Sequence, residues 1–225
     1  MEKILTCDEF RRSIYLDFEG HGPTRRGGIA PKPHMAGLFR PKNTGKSGRY
    51  SCTLFNEKWK PVTNGIRIAN YNTFDGEFHE LITELDHKSS RLIFWSIHEQ
   101  TVLEKYLSPN LYKELLPFLY NVKKPITRYL NKNKSLKSRV DKISLSECFK
   151  ALHRKRKPYP PLPLGAAESC RRIDRACQKK MKWRHFSDLQ KGYARNLIAY
   201  NEGDCRSTWL LALKVGNSFN NQNKS

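Results

Sequence analysis

The first third of the chain alternates short apolar runs with turn-rich segments, a pattern typical of β-strands. From Thr73 onward, apolar residues recur every three or four positions, which predicts an amphipathic helix. The compact apolar run RLIFWS follows that helix and predicts a buried parallel strand. The predicted strands cover residues 13–19, 35–40, 49–56, 66–71 and 91–96.

Helical periodicity dominates the rest of the sequence and predicts helices over residues 99–107, 111–121, 165–180 and 188–214. Strands followed by helices predict an α/β fold. A chain of 225 residues fits one domain, which we place at residues 1–215. Within it we expect a mobile or substrate-facing basic insertion at 122–142 and a proline spacer at 157–164; residues 216–225 are expected to form a disordered tail.

Charge changes this picture, because 42 Lys and Arg residues against 21 Asp and Glu residues give a net charge of +21. Residues 122–225 hold 25 of the basic and 7 of the acidic side chains. An unusually basic surface of this kind indicates a polyanionic partner and disfavours a neutral metabolic enzyme.

Six cysteines are scattered through the chain, without a C-x2-C pair or the spacing of a structural zinc site. The N-terminal segment lacks the apolar core of a signal peptide, and no apolar run is long enough to span a membrane. We therefore expect a cytoplasmic protein with reduced thiols and no membrane partner.

Two carboxylates, Asp17 and Glu19, end the first predicted strand. Because side chains two positions apart in a strand share one face, these two groups can share a divalent cation. The alternative is a strand end that has simply reached solvent.

A second set of chemically competent residues is Tyr200-Asn-Glu-Gly-Asp204. Tyr200 and Asp204 are four apart and are neighbours on a helix face. A phenol beside a metal-binding carboxylate can orient a water molecule or help to deprotonate it. The alternative is a surface turn that carries a buried tyrosine.

A third acid, Glu99, follows the predicted buried strand on the first turn of a helix, where its carboxylate can project over the end of a sheet. The alternative is a glutamate that stabilises the helix N-terminus. Asp86, at the end of the preceding helix, is the second candidate for this third acid.

Together the stretches YLDFEG, FWSIHEQTVL and LIAYNEGDCRSTWLL resemble the DEDD exonucleases of the ribonuclease H-like superfamily, in the tyrosine variant. They are similar to the predicted nuclease group of that superfamily associated with RecB-type proteins. The resemblance implies a ribonuclease H-like mixed sheet flanked by helices. It also implies Asp17, Glu19, Glu99 and Asp204 as ligands of two divalent cations, Mg²⁺ or Mn²⁺, and Tyr200 as the residue that orients water. Most of the superfamily has aspartate where this chain has Glu99.

The expected activity is a metal-dependent 3′→5′ exonuclease that acts on single-stranded DNA or RNA. The alternatives are a structure-specific endonuclease and a non-catalytic nucleic-acid-binding module of a larger complex. A protein partner would be a helicase or another component of a larger nucleic-acid-processing complex. Basic side chains would hold the strand through its phosphates. The candidates are Arg25, Arg26, Lys123, Lys124, Arg154, Lys155, Arg156, Lys157, Arg171, Arg172 and Arg175.

Overall fold

The computed structural model describes residues 4–22, 31–42, 47–153, 162–179 and 182–222, and within them a six-stranded mixed sheet lies between helices. The strands are β1 (Ile14–Glu19), β2 (Met35–Pro41), β3 (Gly48–Leu54), β4 (Ala69–Tyr71), β5 (Leu92–Phe94) and β6 (Leu119–Asn121). The helices are α1 (Cys7–Arg12), α2 (Lys60–Thr63), α3 (Phe74–His87), α4 (Ile97–Tyr106), α5 (Pro109–Leu115), α6 (Lys123–Lys132), α7 (Lys134–Lys137), α8 (Leu145–Leu152), α9 (Ala166–Lys179) and α10 (Asp188–Gln222).

The strand order is β4-β3-β2-β1-β5-β6, which places β1 near the centre of the sheet. β1, β2 and β3 pair antiparallel, whereas β5 runs parallel to β1 and β6 runs parallel to β5. Asp17 lies opposite Gly37 in the register of β1 and β2. The carboxyl ends of β1 and β5 therefore meet at one edge of the sheet, where Glu19 and the start of α4 both lie.

Alternation along β1 separates two apolar layers. Tyr15 belongs to the core between the sheet and the layer that contains α9 and α10, whereas Leu16 and Phe18 belong to the core on the face of α3, α4 and α5. Asp17 and Glu19 share the face of Tyr15, because strand side chains alternate. Both carboxylates thus point toward the side of the sheet on which α10 lies. This arrangement confirms an α/β fold with a mixed sheet flanked by helices.

The predicted strands agree with β1, β2, β3 and β5 to within two or three residues, whereas β4 is shorter than the predicted strand at 66–71. The helix predicted over 111–121 is wrong in its second half. α5 ends at Leu115, and residues 119–121 form β6, which pairs with β5. Pro117 explains the change, since proline cannot donate the hydrogen bond that would continue the helix.

The basic segment 122–142 is not a free insertion. α6 and α7 occupy most of it, and Ile126 and Leu130 are completely buried in the core on the α10 side. The high amphipathicity of this segment, with apolar residues four apart among lysines, explains the docking.

The disordered tail that we expected at 216–225 is also wrong for residues 216–222, which continue α10 to Gln222. Phe219 packs against the core, and the Lys132 ammonium lies 5.7 Å from the centre of its ring. These contacts stabilise the last turns of the helix. Most of the proline spacer falls outside the described residues. Among the helices that the structure describes, none has both the length and the apolar character required to cross a membrane.

Candidate metal centre

Three carboxylates from distant parts of the chain meet at the end of β1. Asp17 and Glu19 come from β1 and Asp204 comes from α10, and each can present an oxygen within 4.8 Å of the other two. Glu19 is 7% exposed, and the other two side chains are partly buried. Among the described residues, no Lys, Arg or His lies within salt-bridge distance of these three groups. The arrangement is a cluster of oxygen ligands that could hold a metal ion.

Asn201 joins α10 to this cluster. Its side chain is fully buried, and the amide nitrogen donates to Asp17 Oδ2 at 2.7 Å and to the main-chain oxygen of Asp17 at 3.2 Å. The amide oxygen accepts a hydrogen bond from the Tyr50 hydroxyl at 2.8 Å. Both ends of the amide are therefore fixed, and one carboxylate oxygen of Asp17 is held in place.

Glycine at position 37 allows α10 to approach the sheet this closely. A Cβ atom at Gly37 would lie 1.6 Å from Asn201 Oδ1, which is impossible without moving the helix. Cys205 confirms the tight packing, since its Sγ lies 3.5 Å from the carbonyl oxygen of Gly37. Our sequence analysis missed Gly37, Tyr50 and Asn201. One signal was present, because Asn201 is a polar residue in the apolar stripe of Leu197 and Cys205.

Burial and mutual repulsion raise the pKa of every carboxyl group in the cluster. Burial raises the pKa of Asp17 well above its ordinary value, and the charges of Glu19 and Asp204 add to this effect. Burial, followed by the charge of Asp204, raises the pKa of Glu19 to about 8. Burial raises the pKa of Asp204 to about 6, although the nearby Tyr200 hydroxyl opposes the shift. The negative charges of the carboxylates are not balanced by neighbouring positive groups among the described residues, and this imbalance favours the binding of a cation.

Tyr200 lies one helical turn before Asp204 on α10, close enough for each group to shift the pKa of the other. Burial, followed by the negative charge of Asp204, raises the pKa of this phenol above its ordinary value. Tyr200 therefore keeps its proton and acts as a hydrogen-bond donor at neutral pH. The structure brings together four of the five predicted catalytic residues in this way.

Glu99, the fifth, lies beside the cluster but outside the group whose oxygens approach within 4.8 Å. Its Oε2 accepts hydrogen bonds from the main-chain nitrogen of Ser96 at 3.0 Å and from the Ser96 hydroxyl at 2.8 Å, and these bonds cap α4. Its charge nevertheless raises the pKa values of Asp17, Glu19 and Asp204. Burial raises the pKa of Glu99 itself. The carboxylate thus serves the helix cap and adds negative potential at the cluster.

Asp86, the second candidate for the third acid, is exposed at the end of α3. Because α3 precedes β5, Asp86 lies near the amino end of that strand. Asp17 and Glu19 lie at the carboxyl end of β1, which runs parallel to β5. The structure places Asp86 at the opposite edge of the sheet, so it cannot join the cluster.

Two clefts border the cluster, and the first turn of α9 lies between them. One of about 200 Å³ is lined by Glu19, Gly20 and His98, and one of about 390 Å³ is lined by Tyr200, Asp204 and Phe149. Ala166 lines both. An elongated ligand can therefore reach the carboxylates from either side of the α9 N-terminus.

The basic residues predicted to contact nucleic acid differ in exposure and in the protein partners that they already have. Arg171 and Arg175 are exposed on α9, and Arg171 pairs with Glu168. Arg172 is held by Glu168 and by the Tyr193 hydroxyl, so its guanidinium already has protein partners. Lys123 and Lys124 begin α6. The candidates Arg25, Arg26, Arg154, Lys155, Arg156 and Lys157 lie outside the described residues.

The pKa shifts predict that the metal-free protein loses stability as the pH rises from about 5 to about 8. In this window the unfolded chain has released the carboxyl protons that the folded chain retains, so the free energy of unfolding falls with pH. Each retained proton contributes about 1.4 kcal/mol per pH unit. Melting temperatures in EDTA should show this fall in the wild type and a smaller fall in Glu19→Gln. Identical pH profiles for the two proteins would contradict the assigned shifts.

No protein-family model matches the chain, and searches of curated proteins and of solved structures also return no match. The arrangement of the site is therefore the basis on which function is inferred.

Proposed function

We propose that this protein is a metal-dependent nuclease with a ribonuclease H-like fold, similar to the tyrosine variant of the DEDD exonucleases, and that it degrades single-stranded nucleic acid from the 3′ end. One observation carries the proposal. Asp17 and Glu19 from the first strand meet Asp204 from the last helix, and Tyr200 lies one helical turn before Asp204. The mixed sheet flanked by helices supports the fold assignment.

The donor set fits Mg²⁺ or Mn²⁺, because hard divalent cations prefer carboxylate oxygens. Asp17, Glu19 and Asp204 would hold the ions, with Glu99 as an adjoining carboxylate. Divalent ions bound there would neutralise the charge that develops on the phosphate during hydrolysis and lower the pKa of the attacking water. The raised pKa values support this fit, since cations would remove the repulsion among the carboxylates.

Residues of the chain itself would position the attacking water and the metal-binding carboxylates. The protonated Tyr200 hydroxyl can orient a water molecule at the mouth of the cleft that Tyr200 and Asp204 both line. Asn201 holds Asp17 Oδ2, and Tyr50 holds Asn201. A site held by hydrogen bonds in this way needs little reorganisation when a substrate arrives.

The charge of the chain favours a nucleic-acid substrate. With a net charge of +21 and the excess concentrated after residue 121, the protein attracts a polyanion. Arg171 and Arg175 lie exposed on α9, the helix whose first turn separates the two clefts. A strand that crosses this turn could have its phosphates neutralised on α9 while its end lies at the carboxylates.

Labelled oligonucleotides test the proposal. The protein is incubated with Mg²⁺ or Mn²⁺ and single strands labelled at the 5′ or the 3′ end. With a 5′ label, a 3′→5′ exonuclease gives a ladder of successively shorter products, whereas a 3′ label is released at once as mononucleotide. Discrete internal cuts would instead indicate an endonuclease. Binding without products would indicate a non-catalytic module.

Binding is expected to weaken steeply with salt, because contacts to phosphate release condensed counterions. Replacing Arg171 and Arg175 together by alanine should reduce the slope of log affinity against log salt by about 0.7 for each lost contact. Fluorescence anisotropy over a range of ionic strengths measures the slope. The charge-matched control is Lys105→Ala with Lys113→Ala, two exposed lysines on the other side of the sheet. Equal slopes in the two double variants would remove α9 from the binding surface.

A further inference from the structure

A second group of potential metal ligands lies near the carboxylate cluster. His21 follows β1, His34 precedes β2, and Asp174 lies on α9. Each of the three can present one ligand atom within 4.8 Å of the other two. Two imidazoles and one carboxylate differ chemically from the all-oxygen cluster, because imidazole nitrogen suits zinc and related transition metals better than magnesium.

Neighbouring side chains fix the orientation of this group. Trp59 Nε1 donates to Asp174 Oδ1 at 2.5 Å, and the amide nitrogen of Asn56 donates to the same oxygen at 3.2 Å. The His34 ring stacks on Trp59 with ring centres 4.9 Å apart and planes 9° apart. Asp174 Oδ1 is therefore satisfied by the protein, and Oδ2 is left to face the two histidines.

The atoms that face each other are His21 Nε2, His34 Nε2 and Asp174 Oδ2. Oδ2 lies 2.5 Å from His21 Nε2 and 3.8 Å from His34 Nε2. The contact with His21 lacks hydrogen-bond geometry, so His21 Nε2 is a buried nitrogen without a hydrogen-bond partner among the described residues. A bound metal ion would give this buried nitrogen the partner that it lacks.

We propose that His21, His34 and Asp174 form a zinc site, with a fourth position open to water. Ligands of a tetrahedral zinc ion lie roughly 3.3 Å apart, given bonds of about 2.0–2.1 Å. The observed separations of 2.5 Å and 3.8 Å lie on either side of that value, so small side-chain movements suffice. The His21 side chain is 34% exposed, which gives the ion a path from solvent.

The site would fasten the residue that follows β1 closely, His21, and the residue that precedes β2, His34, to α9. The main-chain nitrogen of His34 donates to the carbonyl oxygen of Glu19 at 2.9 Å, so the proposed zinc site is directly bonded to a residue of the carboxylate cluster. Zinc would thus hold the end of β1 and the helix that carries Arg171 and Arg175 in one arrangement. Bound zinc would stabilise the folded state in proportion to its binding free energy.

Asn56 contacts two of the three proposed ligands. Its amide nitrogen lies 2.8 Å from His34 Nδ1 and 3.2 Å from Asp174 Oδ1, and its oxygen accepts from the main-chain nitrogen of Lys58. A zinc-bound His34 carries its proton on Nδ1 and needs an acceptor there. Zinc binding would therefore turn the Asn56 amide nitrogen away from His34 Nδ1.

The experiment uses the full chain with Asp17→Asn and Asp204→Asn, which removes the carboxylate cluster as a competing site. Zinc affinity is measured by competition with a chromophoric chelator, and Co²⁺ is added to record the visible absorption of a nitrogen-ligated, low-coordinate ion. We expect one Zn²⁺ per chain and a higher melting temperature with zinc. His21→Ala or His34→Ala should weaken binding by more than the roughly 10- to 100-fold that loss of an outer partner costs.

His87→Ala, which removes an exposed histidine of α3, is the matched control and should bind zinc like the parent. The proposal is overturned if the parent binds no zinc, or if His21→Ala and His87→Ala bind it equally well. Where a histidine variant is poorly folded, the zinc stoichiometry and the cobalt spectrum of the parent still decide the question.

Discussion

Asp204→Asn is expected to reduce cleavage to the limit of detection while nucleic-acid binding persists. The change removes a ligand charge but keeps the shape of the side chain. Asp17→Asn should act in the same way, since one amide oxygen can still accept from Asn201. Cleavage of a labelled single strand in Mn²⁺ measures the loss, and anisotropy measures binding.

Loss of function should coincide with a gain in metal-free stability, because each substitution removes a charge from a crowded, buried cluster. Melting temperatures in EDTA at pH 8 should therefore rise above that of the wild type. Asp86→Asn is the matched control and should leave activity unchanged, since Asp86 lies exposed at the opposite edge of the sheet. A purified Asp17→Asn or Asp204→Asn protein that cleaves at the wild-type rate would refute the assigned centre.

The second large effect is expected from Tyr200→Phe. If the hydroxyl positions the attacking water, its removal should lower the cleavage rate by about 10²–10⁴, as is typical for loss of a positioned proton-transfer group. The ring remains, so the melting temperature should change little. Affinity for Mn²⁺ should persist, because all carboxylates remain.

Tyr193→Phe is the matched control for this experiment. Tyr193 lies on the same helix, is partly buried and uses its hydroxyl to bind Arg172 rather than the cluster. Its variant should retain the wild-type rate. A Tyr200→Phe protein that is destabilised yet fully active per folded molecule would show that the Tyr200 hydroxyl serves packing only.

The parts of the site that could be predicted from the sequence depend on local periodicity. The spacing of Asp17 and Glu19 in a strand, and of Tyr200 and Asp204 in a helix, places each pair on one face whatever the rest of the chain does. Only the resemblance to a known family predicted that the two pairs meet in space, because 184 positions separate Asp17 from Asn201 in the sequence.

The parts that were missed depend on long-range contacts. Asn201 is unfavourable in an isolated apolar helix face, and only its bonds to Asp17 and Tyr50 make it suitable there. β6 contains only three residues and owes its strand conformation to pairing with β5. The basic segment 122–142 was expected to be a mobile or substrate-facing insertion because of its basic composition, yet Ile126 and Leu130 dock it against the core.

The joining of β1 to α10 also determines how much of the chain must be synthesised before the carboxylate cluster can form. Asp17 and Glu19 are made early, but Asn201 and Asp204 lie near the end of the 225-residue chain. A chain that terminates before Asn201 would therefore lack both the third carboxylate and the amide that holds Asp17.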